Sequence, residues 1–169
     1  MKNIFFQVKK KVKENPAAFI GIIMFFLIML IYLKNIKPER YGDGGEYMLQ
    51  TVAFKNHLSF GVTDDDLETA KIYFPEYADF LDLVMHSEPP MFKYKNAYYS
   101  CHYGAYSALV VPVLCLMRLL HINALRAFSF TNLILWFIAV LVIFFFLDTT
   151  KTKKNIISAL VLLNLSVLY

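Results

Sequence analysis

The chain is poor in the residues and patterns on which most soluble catalytic sites are built. It has two cysteines and six glycines in 169 residues. No glycine-rich stretch precedes a Lys-Ser/Thr pair, which excludes the phosphate-cradling loop of nucleotide-binding folds. No Gly-x-Ser-x-Gly elbow is present for an acyl-transfer serine, and no Cys-x-x-Cys for thiol redox or zinc-ribbon chemistry. Cys101 and Cys115 are too few for an exported disulfide scaffold. Cys115 lies inside an apolar stretch, where a free thiol acts as a small hydrophobe. A nucleic-acid role needs a basic stripe interleaved with stacking aromatics, and none is found. Internal repeats and low-complexity segments are also missing.

Acidic residues are nearly absent from both ends. Eleven of the thirteen lie between Lys34 and Ala105, whereas lysines cluster at Lys9, Lys10, Lys11 and Lys13 and again at Lys151, Lys153 and Lys154. Hydrophobic residues make up 58% of the chain and are gathered in blocks, which argues for a polytopic membrane protein over a large soluble core. The fold class expected is therefore all-α, a polytopic helical membrane protein with a helical extracytoplasmic first loop. Residues 1–16 read as a basic cytoplasmic leader. Residues 17–33, "AAFIGIIMFFLIMLIYL", form an uncharged run just long enough to span. A signal peptide is the competing reading. The run is long for a signal core, and "KNIKPER" after it lacks a small-x-small cleavage site, so a retained anchor is preferred.

Residues 34–126 read as the extracytoplasmic loop, carrying membrane-surface helices. Within it, "DGGEYMLQTVAF" has helical periodicity, and a second helix starts at Thr63 with three acids in its first turn. Pro89 and Pro90 break "HSEPPMFKYKNAYY" into turn and extended chain. Residues 106–120 are apolar but short, and are read as interfacial or re-entrant. Residues 127–147 form a second span, 148–155 a cytoplasmic turn, and 156–169 the start of a third span. If 106–120 stays on the outer face, both lysine clusters fall on the cytoplasmic side, as the positive-inside rule prefers. The last apolar run stops without a closing loop, so the expectation is the N-terminal part of a longer membrane protein or a truncated product of one, inactive by itself.

The stretch "YGDGGEYML", residues 41–49, has two readings that do not exclude each other. In the first, Asp43 and Glu46 make a capping box, Asp43 as N-cap and Glu46 at N3, with Gly44 and Gly45 easing the turn. In the second, a carboxylate held rigidly at a membrane edge serves as a general base. His102 sits among Tyr98, Tyr99, Tyr103 and Tyr106. That histidine is a packed interfacial side chain, a hydrogen-bond donor to a phosphate, or a metal ligand. The tyrosines form either an interfacial aromatic belt or a sugar-stacking surface. Arg118 and Arg126 flank the short apolar helix and either snorkel to the surface or bind a lipid phosphate. Asp64, Asp65 and Asp66 lack calcium-loop spacing and fit an acidic first helical turn better. His57, His86 and His121 show no ligand spacing.

Three features taken together resemble the GT-C class of integral-membrane glycosyltransferases. One anchor is followed at once by an acidic loop, "YGDGGEYML". The exported loop ends in "YYSCHYGAYSALVVPVLCLMRLLHINALRAF", where Tyr99, His102, Tyr103, Gly104 and Pro112 match the class's aromatic–His–Gly–Pro run. A span, a basic turn and another span follow. The resemblance implies transfer of a sugar from a polyprenyl phosphate to an acceptor hydroxyl at the outer face of the cell membrane, with inversion. It implies Asp43 as general base with Glu46 as base or helper, and a substrate site including His102, Tyr99, Tyr103 and Arg118. The partners it implies are membrane lipid and the polyprenyl-phosphate sugar, with no nucleic acid. No residue is assigned to a metal, and the cofactor is left unknown, because some members of the class use a divalent ion and others do not. The alternative is a non-enzymatic polytopic protein, a transporter or assembly subunit, in which Asp43 and Glu46 only cap a helix.

Overall fold

A computed structural model of the chain describes residues 2–37, 44–87, 90–102 and 104–147. These residues are predominantly helical and fall into two units, one within Met1–Ile36 and Asn132–Tyr169, the other Lys37–Thr131.

In the first unit, α1 (Lys2–Glu14) carries the lysine cluster and is followed by α2 (Pro16–Asn35). Pro16 opens α2, a position where its fixed φ suits the helix and its missing N–H costs nothing. The helix α2 and the later α7 (Arg126–Phe146) are the two described helices long and apolar enough to cross a membrane. Within this unit, aromatic rings link α2 to the part of α7 beyond Asn132. Phe26 stacks on Phe137 with centroids 4.1 Å apart, Phe25 tilts against Trp136, and Phe19 meets Phe144 and Phe145. Ile20, Met24, Leu27, Ile28 and Ile31 point away from protein.

The second unit is built around α3 (Gly44–His57), with α4 (Asp64–Tyr73), α5 (Ala78–Met85) and α6 (Ala105–Leu119) packed about it. Every residue from Met48 to Ala53 is buried. A helix enclosed on all sides needs no polar face, which is why α3 shows no clean amphipathic stripe. Gly45 explains part of the double glycine. A Cβ there would drive into the ring of Phe80 and meet Val84 Cγ2 at 3.0 Å, so glycine lets α5 approach α3 closely.

The expectation of an all-helical chain needs one amendment. Met91–Tyr94 (β1) and Ala97–Ser100 (β2) pair antiparallel, Met91 opposite Ser100 and Tyr94 opposite Ala97. The alternating, tyrosine-rich sequence "MFKYKNAYYS" suits a pleated, half-buried surface, and Lys95 supplies the left-handed turn residue at φ 55°. Val62 then exchanges two 2.8 Å backbone bonds with Tyr98, tying the hairpin to the loop after α3.

The short helix α6 has two unlike faces. Ser107, Val110, Leu114 and Met117 are buried in the unit, while Leu109, Leu116 and Leu119 are exposed. The run expected to be re-entrant or interfacial is thus a helix with one protein-facing side and one open apolar side.

Candidate functional site

The hairpin delivers Ser100, Cys101 and His102 to the first turn of α3. Glu46 lies in that turn and is 3% exposed, a charge that burial would penalise heavily without partners. It has them. Glu46 Oε2 accepts a hydrogen bond from Ser100 Oγ and lies 2.9 Å from His102 Nδ1. Ser100 Oγ in turn accepts the His102 backbone N–H at 2.9 Å, so one hydroxyl braces both the carboxylate and the histidine backbone. The Glu46 carboxylate therefore sets which face His102 turns inward and favours a proton on Nδ1.

Further in, the backbone carbonyl of His102 accepts from Gln50 Nε2 at 3.4 Å, and Gln50 Oε1 accepts from buried Ser107 at 3.3 Å. The polar residues of the α3–α6 contact are thereby satisfied by one another, as buried polar groups must be. Tyr47 packs edge-on to Tyr106, with centroids 5.3 Å apart, beside the histidine. Gly104 admits the Phe60 ring, which a Cβ would strike.

The residues singled out from sequence separate into groups. Glu46 and His102 come together. Asp43 and Tyr103 lie outside the described residues, as do the turn 148–155 and the apolar run 156–169. Tyr99 is on the opposite side of β2 from Ser100, because side chains alternate along a strand, and its ring packs on Gly61 and near Tyr94. Arg118 stands near the far end of α6, about 20 Å along the helix from Ala105 at 1.5 Å per residue, with its guanidinium 3.6 Å from the Tyr73 ring centroid. The structure does not bring Tyr99 or Arg118 to the Glu46–His102 cluster.

Two features escaped the sequence reading. One is Ser100–Cys101 as part of this cluster; the adjacency to His102 was visible, but the carboxylate partner 54 residues away was not. The other is a second buried carboxylate, Asp66. Thr63 and Asp66 form the reciprocal capping box of α4, and Asp66 also accepts from Asn56 at 2.9 Å and lies 2.8 Å from His57 Nε2. Burial acts to raise the Asp66 pKa, but the bonds from His57, Thr63 and Asn56 together outweigh it and hold the carboxyl below its ordinary range. The acidic first turn read from the sequence is present, with one of its three acids turned inward as a structural tie. The capping box expected at Asp43–Glu46 involves Asp43, which lies outside the described residues; the Glu46 half is engaged by Ser100 and His102.

No family model, no curated protein and no solved structure matches the chain.

Proposed function

We propose that this chain is part of a membrane glycosyltransferase of the GT-C type, moving a sugar from a polyprenyl phosphate to an acceptor hydroxyl at the outer face of a membrane. The observation that carries the reading is a buried carboxylate, Glu46, in the first helix after a span-length apolar helix, paired with the imidazole of His102. Two further features support it: the open apolar side of α6, suited to a lipid surface, and the outward hydrophobic residues of α2.

In this reading Asp43 is the general base, taking the acceptor's proton as the hydroxyl attacks the anomeric carbon. Glu46 is enclosed and already bonded to two partners, so it suits a positioning role better than proton abstraction. It turns His102, whose other ring nitrogen, Nε2, faces the departing phosphate as a hydrogen-bond donor when protonated. The phosphate leaves ionised and needs a donor or cation more than a general acid. One carboxylate acting through an acceptor gives inversion.

The test is transfer of a labelled sugar from polyprenyl phosphate by membranes containing the full-length protein. Asp43→Asn should remove transfer by about 100-fold or more at unchanged protein level, within the range that general-base catalysis supplies. Glu46→Gln should lower kcat with KM nearly unchanged, and should shift the pH profile of transfer. Normal transfer by Asp43→Asn contradicts the proposal and leaves the scaffold alternative.

A further inference from the structure

Glu46, Cys101 and His102 offer a carboxylate oxygen, a thiol sulfur and a ring nitrogen that all lie within 4.8 Å of one another. We propose that these three side chains bind one zinc-type divalent cation. The inference rests on the donor atoms and does not depend on the transfer reading.

Two of the three separations are close to what the ion requires, and the third, between the Glu46 oxygen and Cys101 Sγ, lies within 4.8 Å and closes by rotation of the exposed Cys101 side chain. Zinc bonds of about 2.3 Å to sulfur and about 2.0–2.1 Å to nitrogen or oxygen, at tetrahedral angles, set neighbouring ligand atoms about 3.3–3.6 Å apart. Cys101 Sγ is 3.7 Å from His102 Nδ1. His102 Nδ1 is 2.9 Å from Glu46 Oε2, a separation set by the proton between them. Replacing that proton with a cation requires the pair to open by a few tenths of an ångström, within the swing of an imidazole that is 38% exposed. On binding, the Cys101 thiol loses its proton to solvent, and the neutral imidazole gives up its Nδ1 proton and takes one on Nε2, which leaves Nδ1 free to bind the cation. Three protein ligands leave room for a water as the fourth.

The donor set also selects the ion. Thiolate with imidazole suits zinc and its neighbours, whereas magnesium and calcium prefer all-oxygen shells. The support around the ligands is present, since Ser100 Oγ holds both the Glu46 carboxylate and the His102 backbone. The cation would join the end of β2 to the start of α3, segments far apart in sequence, so binding should stabilise the unit.

The test uses the full chain in detergent micelles, stripped of metal with a chelator and titrated with Co2+. A thiolate-to-cobalt charge-transfer band should appear, saturate at one ion per chain and bleach on adding Zn2+. Cys101→Ser should abolish the band and Cys115→Ser should keep it. Glu46→Gln should weaken Zn2+ binding at least about tenfold, the lower end of what loss of a supporting group costs. Because Glu46 is buried, its variant is checked by thermal melting without metal; Cys101 is exposed, so its variant leaves the core intact and decides the matter by itself. Absence of the band, its survival in Cys101→Ser, or unchanged affinity in a folded Glu46→Gln overturns the proposal. A band in a protein that transfers no sugar leaves the metal site standing and removes only the transferase reading.

Discussion

Two helices of this chain, α2 and α3, lack an amphipathic stripe for opposite reasons. Along α2 only Ile22, Met29 and Leu33 are buried, and bulky aliphatic side chains cover the rest of its length. Along α3 six consecutive residues are buried, and its polar members Glu46, Gln50 and Thr51 each have a hydrogen-bond partner. A helix without a polar face must be surrounded by something apolar. For α3 that surround is protein, namely α4, α5 and α6. For α2 it is the proposed bilayer. The missing stripe alone treats the two alike; length, overall hydrophobicity and the presence of paired polar groups tell them apart.

Equivalent truncations should break that symmetry, and the largest effect belongs in α3. Leu49→Ala removes a fully buried side chain and should destabilise the second unit by about 3 kcal/mol, read as a lowered melting temperature in detergent. Next comes Asp66→Asn, which weakens the α4 cap and the tie to His57. It should cost about 2 kcal/mol at neutral pH. The pH dependence follows from the sign of the Asp66 shift. Its folded pKa lies below the unfolded value, so its stabilisation is complete above the unfolded carboxyl range, near pH 4, and is lost as pH falls toward the lower folded value. Acid unfolding of Asp66→Asn should lack that component, and an unchanged acid limb would show that Asp66 is not the linked group.

A smaller change should go the other way. Leu58 follows the end of α3 with φ 55° and is exposed, a position that glycine fills without strain. Leu58→Gly should stabilise the unit by about 1 kcal/mol, measurable by denaturant titration. The smallest stability effect is expected on α2. Ile28→Ala there should change melting by less than about 0.5 kcal/mol, since no protein cavity forms, in contrast with the loss at Leu49. Equal losses at the two sites would mean that protein, and not lipid, covers α2.

Much of the helical layout is legible because the long apolar runs mark their own limits. The hairpin was legible as extended chain but not as a pair, because register depends on the Lys95 turn and on the contact with Val62. The site was half legible. Glu46 and His102 could each be singled out by residue type and neighbourhood, yet nothing local indicates that α3 and β2 meet. Tyr99 belongs to the run that carries the family resemblance, and Arg118 to the flank of the short apolar helix, where a lipid phosphate is one of two readings. Strand alternation turns the first away, and the length of α6 carries the second off. Gly45 was read as easing a turn, whereas its small size serves the packing of Phe80, which only the folded chain reveals.

The central claim is that Glu46 acts through His102, and a double-mutant cycle on sugar transfer tests it most directly. Glu46→Gln, His102→Gln and the double variant should be compared in membranes containing the full-length protein. The account predicts that the double variant loses no more activity than His102→Gln alone, because the carboxylate has no role without the ring it holds. Losses that simply multiply would contradict it and assign the two residues to separate tasks.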